Sequence, residues 1–153
     1  MKFKDKVSDL LSNALKGDPR LFLIELRINS DNSIKIDLDG DKGVALSDCI
    51  MISREIEHNL DREEHDFSLE VGSVGVDTPL VMARQYKKNN GKILEVKNLE
   101  GDLIKGELTF SDDKKINLKW KVREPKPIGK GKITVVKTKE IEYKDIVQAR
   151  VII

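Results

Sequence analysis

Two periodicities alternate along the first half of this chain. Val7, Leu10, Leu11, Ala14 and Leu15 recur at helical spacing, so a short helix is expected there, stopped by Gly17, Asp18 and Pro19. From Leu21 to Ile28 the period drops to two, with Phe22, Ile24, Leu26 and Ile28 on one side of a strand. Asp31, Asn32 and Ser33 supply turn chemistry, because short polar side chains hydrogen-bond their own backbone. Ile34, Ile36 and Leu38 alternate as a second strand. The helical period returns from about Leu46 to Leu60, where Leu46, Cys49, Ile50, Ser53, Ile56 and Leu60 form one apolar stripe. Phe67, Leu69 and Val71 then alternate as a third strand. The order α-β-β-α-β predicts a small sheet with both helices on one face, an α+β layer arrangement.

The pattern changes after Thr78 and Pro79. Residues 82–88 read as a short linking helix, and short strands follow at 92–96, 103–110, 116–121, 131–137 and 148–153. Gly91, Gly101, Gly106, Gly129 and Gly131 punctuate them. Short strands with glycine turns and no long helix predict a small all-β barrel. Residues 123–132 read as a mobile loop. Two domains are therefore expected, 1–80 and 81–153.

Composition adds one asymmetry to this picture. Charged residues make up 36% of the chain, against roughly 25% in an average globular protein. That excess points to exposed surface and polar partners. The net charge of +1 conceals a split. Residues 1–80 hold 10 Lys/Arg and 17 Asp/Glu, a balance of −7, whereas residues 81–153 hold 18 and 10, a balance of +8. Such halves suit partners of opposite charge. Cys49 is the only cysteine, which excludes an internal disulfide and fits a reducing compartment. No apolar run approaches the ~18 residues of a membrane span, and no apolar core follows the charged residues 1–6 as a secretory signal requires. A cytoplasmic protein that does not enter membranes is expected.

Catalytic and metal chemistry find little to stand on. Asp37, Asp39, Asp41 and Asp48 have a calcium-loop spacing, but Lys42 replaces the turn glycine and no longer Glu closes the set. An acidic strand-to-helix connection is the simpler reading. His58 and His65 flank acids without the close pairing of zinc ligands, and Cys49 lies on an apolar stripe. No catalytic residues, metal or cofactor are therefore assigned. Gly72 and Gly75 match a G-x-x-G clamp, but the segment follows a strand and does not join two helices. Glycines tolerant of left-handed backbone are the simpler reading. The strongest signal is basic: Lys87, Lys88 and Lys92 near the domain junction, and Lys126, Lys130 and Lys132 in the proline-glycine loop, with Lys137 and Lys139 beyond. Lysines of this kind reach phosphates without reading base sequence. Trp120 alternates with Ile116 and Leu118 and reads as core.

Several segments also match a known family in order. Residues 69–80, LEVGSVGVDTPL, resemble LEVSSPG(L/V)DRPL of the ribosome maturation factor RimP family. Residues 43–49, GVALSDC, with Ile52 to Ile56, Leu60 and Asp61, resemble that family's GVxLxDC…SRxIxxxLD segment, and Glu142 to Ile146 with Ala149 to Val151 resemble its closing PYxxIxxARL strand. Gly75, Asp77, Pro79 and Leu80 keep the junction motif; Val74 and Thr78 depart from its proline and its basic residue. The resemblance implies a KH-like N-terminal domain and an SH3-like or Sm-like C-terminal barrel. It implies a monomeric, non-catalytic factor that binds the free small ribosomal subunit and its rRNA. It also implies help for a basic decoding-centre ribosomal protein to assemble. The competing expectations are a stand-alone Sm-like RNA-binding regulator and a metal-dependent enzyme built on Asp37–Asp48.

Overall fold

The computed structural model describes residues 2–153. They divide into two compact units, one ending at Gly75 and one running Val76–Ile153. In the first, α1 (Phe3–Lys16), β1 (Leu21–Ile28), β2 (Ser33–Gly40), α2 (Leu46–His58) and β3 (Ser68–Ser73) follow the order that the periodicities predict. β2 is central, antiparallel to β1 and parallel to β3. Its Ile34, Ile36 and Leu38 are at most 2% exposed, and they share one core with Val7, Leu11 and Ala14 of α1 and Ile52 and Ile56 of α2. Each fully buried aliphatic side chain contributes about 1.5–3 kcal/mol relative to exposure. The exposed ion pairs of this unit, such as Arg62–Glu57 at 2.7 Å, contribute about 0–1 kcal/mol each. The apolar layer therefore holds the unit together.

Two details of this half differ from the sequence pattern. On α2 the buried stripe is Cys49, Ile52 and Ile56, continued by Leu60, while Leu46 is 77% and Ile50 42% exposed. Each residue turns a helix by about 100°, so Ile50 lies a quarter-turn off the line through Cys49 and Ile56. In β1 the register slips between Leu23 and Glu25. The bulge changes the alternation, so Leu23 packs on the core together with Leu26 and Ile28 in place of Ile24. The start of α2 is held by Asp48, whose carboxylate accepts the Ala45 N–H at 2.9 Å. Acid in the first turn also meets the positive end of the helix dipole.

The second unit opens with α3 (Ala83–Lys88), followed by β4 (Ile93–Asn98), β5 (Leu103–Ser111), β6 (Lys115–Pro125), β7 (Lys132–Glu142), a 3-10 turn (Tyr143–Asp145) and β8 (Ile146–Val151). All pairings are antiparallel and the strand order is β7-β6-β5-β4-β8. Four strands form a meander and the last returns beside the first, the order of an SH3-like sheet. Leu94, Val96, Leu108, Ile116, Leu118 and Ala149 are fully buried, and Tyr86 of α3 packs with them. Trp120 is half-buried against the same core. The chain is thus α+β, with an all-β second half. The segment expected as a loop at 123–132 is a hairpin turn over its middle six residues, with strand at both ends. Arg123 to Pro125 belong to β6 and Lys132 to β7, leaving 126–131 as the turn. The Lys126 N–H closes it on the Gly131 carbonyl at 3.1 Å, with Gly129 and Gly131 at φ +85° and +97°.

Candidate nucleic-acid interface

The basic side chains singled out from sequence fall into two groups along the second unit. Lys87 and Lys88 occupy the last turn of α3. Positive charge there complements the negative end of the helix. The start of this helix is fixed by Gln85, whose side-chain oxygen accepts the Val81 N–H at 2.7 Å and the Met82 N–H at 3.2 Å. Lys92 follows at the entry to β4, its carbonyl accepting the Leu108 N–H. Lys126 and Lys130 lie on the exposed hairpin turn and Lys132 begins β7. Lys92 lies at the level of Leu108, and Leu108 pairs with Leu118 in the β5–β6 register. Pro125 is seven residues further along β6, about 23 Å of strand. The two groups are therefore separate patches.

The neighbouring charges differ between patches. Arg150 pairs with Glu95 at 3.3 Å, Lys115 with Glu140 at 2.6 Å and Lys144 with Glu142 at 3.2 Å. These pairs raise the Lys115 and Lys144 pKa values, chiefly through hydrogen bonds to their carboxylate partners. Lys137 is likewise bound, to Glu124 at 2.8 Å. Sequence reasoning grouped Lys137 with the lysines expected to reach phosphates. It missed Glu124 because that residue meets Lys137 only across the folded hairpin. A basic alternation that the sequence did display, Lys119, Lys121 and Arg123 on β6, was passed over because the segment read as a short core strand followed by a loop.

The junction residues are reached by backbone contacts. Asp77 and Pro79 are exposed, whereas Leu80 packs on the second core and donates its N–H to the Ala149 carbonyl at 2.7 Å. That bond ties the motif at Leu80 to the closing strand of the chain. A groove of about 450 Å³ beside it is lined by Leu80, Met82, Tyr86, Tyr143 and Val147 among others. The Tyr86 and Tyr143 rings stand 4.9 Å apart. Burial pushes both phenols up, Tyr143 to about 12 with help from Asp112 and Asp113. Gly72 is an ordinary residue of β3 opposite Asp37. Left-handed glycines occur at Gly43, Gly91, Gly101, Gly129 and Gly131, and neither Gly72 nor Gly75 is among them. The conformational reason suggested for that pair does not hold.

Three aspartates of the acidic cluster have defined places in the first unit. Asp39 accepts the Gly40 N–H, Asp48 caps α2, and Asp37 lies within β2. Among the described residues no group of three or more His, Cys, Asp or Glu is placed to hold a metal ion. Cys49 is buried, and its thiol pKa is raised by burial and by Asp48. A raised thiol stays protonated and packs as a small apolar group. His65 lies against Phe3, with ring centroids 5.0 Å apart. No helix among the described residues is long and apolar enough to cross a membrane.

These features define a small two-unit α+β protein whose second unit is a basic SH3-like sheet. Comparison with known proteins narrows this further. Residues 10–77 match the family model described as the RimP N-terminal domain. The chain is 57% identical over 148 residues to the ribosome maturation factor RimP of Christiangramia forsetii, covering 97% of this chain and 96% of that protein. It is 54% identical over 153 residues to the ribosome maturation factor RimP of Flavobacterium psychrophilum, covering 100% and 99%. The corresponding protein of Porphyromonas gingivalis is 37% identical over 123 residues, 80% of this chain and 77% of that one. The chain belongs to the ribosome maturation factor RimP family.

Proposed function

We propose that this protein is a non-catalytic maturation factor that binds the free small ribosomal subunit in the cytoplasm and assists its assembly. The observation that carries this reading is the 57% and 54% identity, over almost the whole chain, to proteins named ribosome maturation factor. Charge supports a division of labour. Residues 76–153 hold 18 Lys/Arg against 11 Asp/Glu, and residues 1–75 hold 10 against 16. The basic unit suits small-subunit rRNA, with Lys87, Lys88, Lys92, Lys126, Lys130 and Lys132 as phosphate contacts. The acidic unit suits a basic decoding-centre ribosomal protein, whose charge it would offset while that protein is placed. The protein acts as a monomer with no cofactor.

Sedimentation with separated small subunits, large subunits and whole ribosomes tests the reading. The protein is expected to travel with free small subunits. Equal binding to large subunits, or no binding to small ones, overturns it.

A further inference from the structure

The β6–β7 hairpin outgrows the rest of its sheet. The last residue of β6 paired to β5 on its near side is Lys119, opposite Glu107, whereas the ladder to β7 continues to Pro125 opposite Lys132. Trp120 to Pro125 and their partners are therefore a two-stranded ribbon. Its two faces differ. Side chains alternate along a strand, so Trp120, Val122 and Glu124 share the side of buried Leu118, where Glu124 meets Lys137 at 2.8 Å. The other side carries Lys119, Lys121 and Arg123, all exposed, with Lys132 at the end of the ladder.

Opposite these cations stand Thr138, Val136 and Thr134, and none is acidic. Arg123 donates to the Thr134 hydroxyl at 3.1 Å, which holds it within the face. Among the described residues, Lys119, Lys121, Arg123 and Lys132 have no carboxylate within ion-pair distance. Glu107, beside Lys119, is the nearest acid in the register. Elsewhere on the sheet Arg150 and Lys115 are compensated, by Glu95 and Glu140.

We propose that this outward face of the ribbon is a binding surface for the phosphate backbone of structured RNA. Cations on alternate residues lie about 7 Å apart along a strand, a regular row suited to successive phosphates. Short threonine and valine side chains between them leave the backbone free to approach. The face carries no aromatic ring to stack an unpaired base; Trp120 is on the opposite side. Backbone recognition of helical RNA is the mode that remains. The inference rests on the RNA-directed reading above and adds the face that performs it.

The test removes the row without shortening the hairpin. Lys119→Thr, Lys121→Thr and Arg123→Thr are combined, since threonine suits an exposed strand. A control combines Lys97→Thr, Lys114→Thr and Lys144→Thr, which removes equal charge elsewhere on the unit. Both are titrated with a short RNA duplex of arbitrary sequence across a salt series, and sedimented with small subunits. The ribbon variant is expected to lose about tenfold or more in duplex affinity, with a log–log salt slope smaller by about 2–3, while the control follows the parent. If the triple variant melts early, Lys121→Thr and Arg123→Thr alone should each reduce the slope by about one. No duplex binding by the parent, an unchanged slope, or an equal loss in the control overturns the inference. So does loss of small-subunit binding with duplex binding intact, which would assign the face to a protein. A parent that ignores small subunits but loses duplex binding with the ribbon row would remove the proposed function and leave this inference standing.

Discussion

Two glycines of the first sheet should respond to the same substitution with opposite signs. Gly40 ends β2 at the elbow before α2. A Cβ there would fall inside the contact radius of the Gly43 carbonyl oxygen, and would stand 3.1 Å from the Gly43 carbonyl carbon and 3.3 Å from Leu21 Cδ2. The first two obstacles are backbone, so they cannot rotate away. Gly43 itself has φ +86°, and its N–H donates to the Gly40 carbonyl at 3.0 Å. Gly40→Ala must therefore open this elbow or displace the start of α2. Overpacking of that kind costs about 1–3 kcal/mol. A unit of this size holds on the order of 4–11 kcal/mol in total, so the loss is a large share. At about 4–8 °C per kcal/mol for a domain of this size, the melting temperature should fall by roughly 4–24 °C. At Gly72 a Cβ meets nothing within 4 Å and the backbone is not left-handed. Gly72→Ala should stabilise the unit by about 0.4–1 kcal/mol, because alanine restricts the unfolded chain more than glycine does. The assay is thermal melting followed by the helical circular dichroism of α1 and α2. Trp120, the only tryptophan, lets the second unit's transition be followed separately by fluorescence. A Gly40→Ala protein that melts with the parent or above it would refute the steric argument. A Gly72→Ala protein destabilised by as much as Gly40→Ala would refute the contrast.

The remaining predictions concern charge and pH. Changing Lys126, Lys130 and Lys132 together to alanine should weaken rRNA binding and flatten its salt dependence by about 0.9 per lost phosphate contact; an unchanged slope places the RNA surface elsewhere. Tyr86 and Tyr143 have phenol pKa values raised by burial, Tyr143 to about 12 from an ordinary 10. The folded state thus keeps protons that the unfolded state releases, so the second unit should be fully stabilised below pH 10 and lose stability as the pH rises toward about 12. Tyr143→Phe should flatten that alkaline loss in denaturant melts read from Trp120; an equally steep loss in the variant refutes the assignment.

Much of the architecture was written in the chain's periodicities. Ile34, Ile36 and Leu38 alternate because β2 buries one face, and Val7, Leu11 and Ala14 recur because α1 covers it. Periods of two and 3.6 follow from backbone geometry alone, so they survive without knowledge of partners. The ordered motifs from Gly43 to Val151 carried the family, because most positions of each match and all follow in the same order. Tertiary structure decided what depends on contacts between distant residues. The bulge at Leu23–Glu25 selects which β1 side chains reach the core, and sheet packing leaves Leu46 and Ile50 outside while Ile52 goes in. The candidate interface shows the same division. Sequence located the basic half but could not tell a paired cation from a free one. Lys137 and Glu124 lie 13 positions apart and meet at 2.8 Å only when β6 and β7 align. The same alignment sorts Lys119, Lys121, Arg123 and Lys132 onto one uncompensated face. Pairing register is a property of two strands together, and neither strand's sequence specifies it alone.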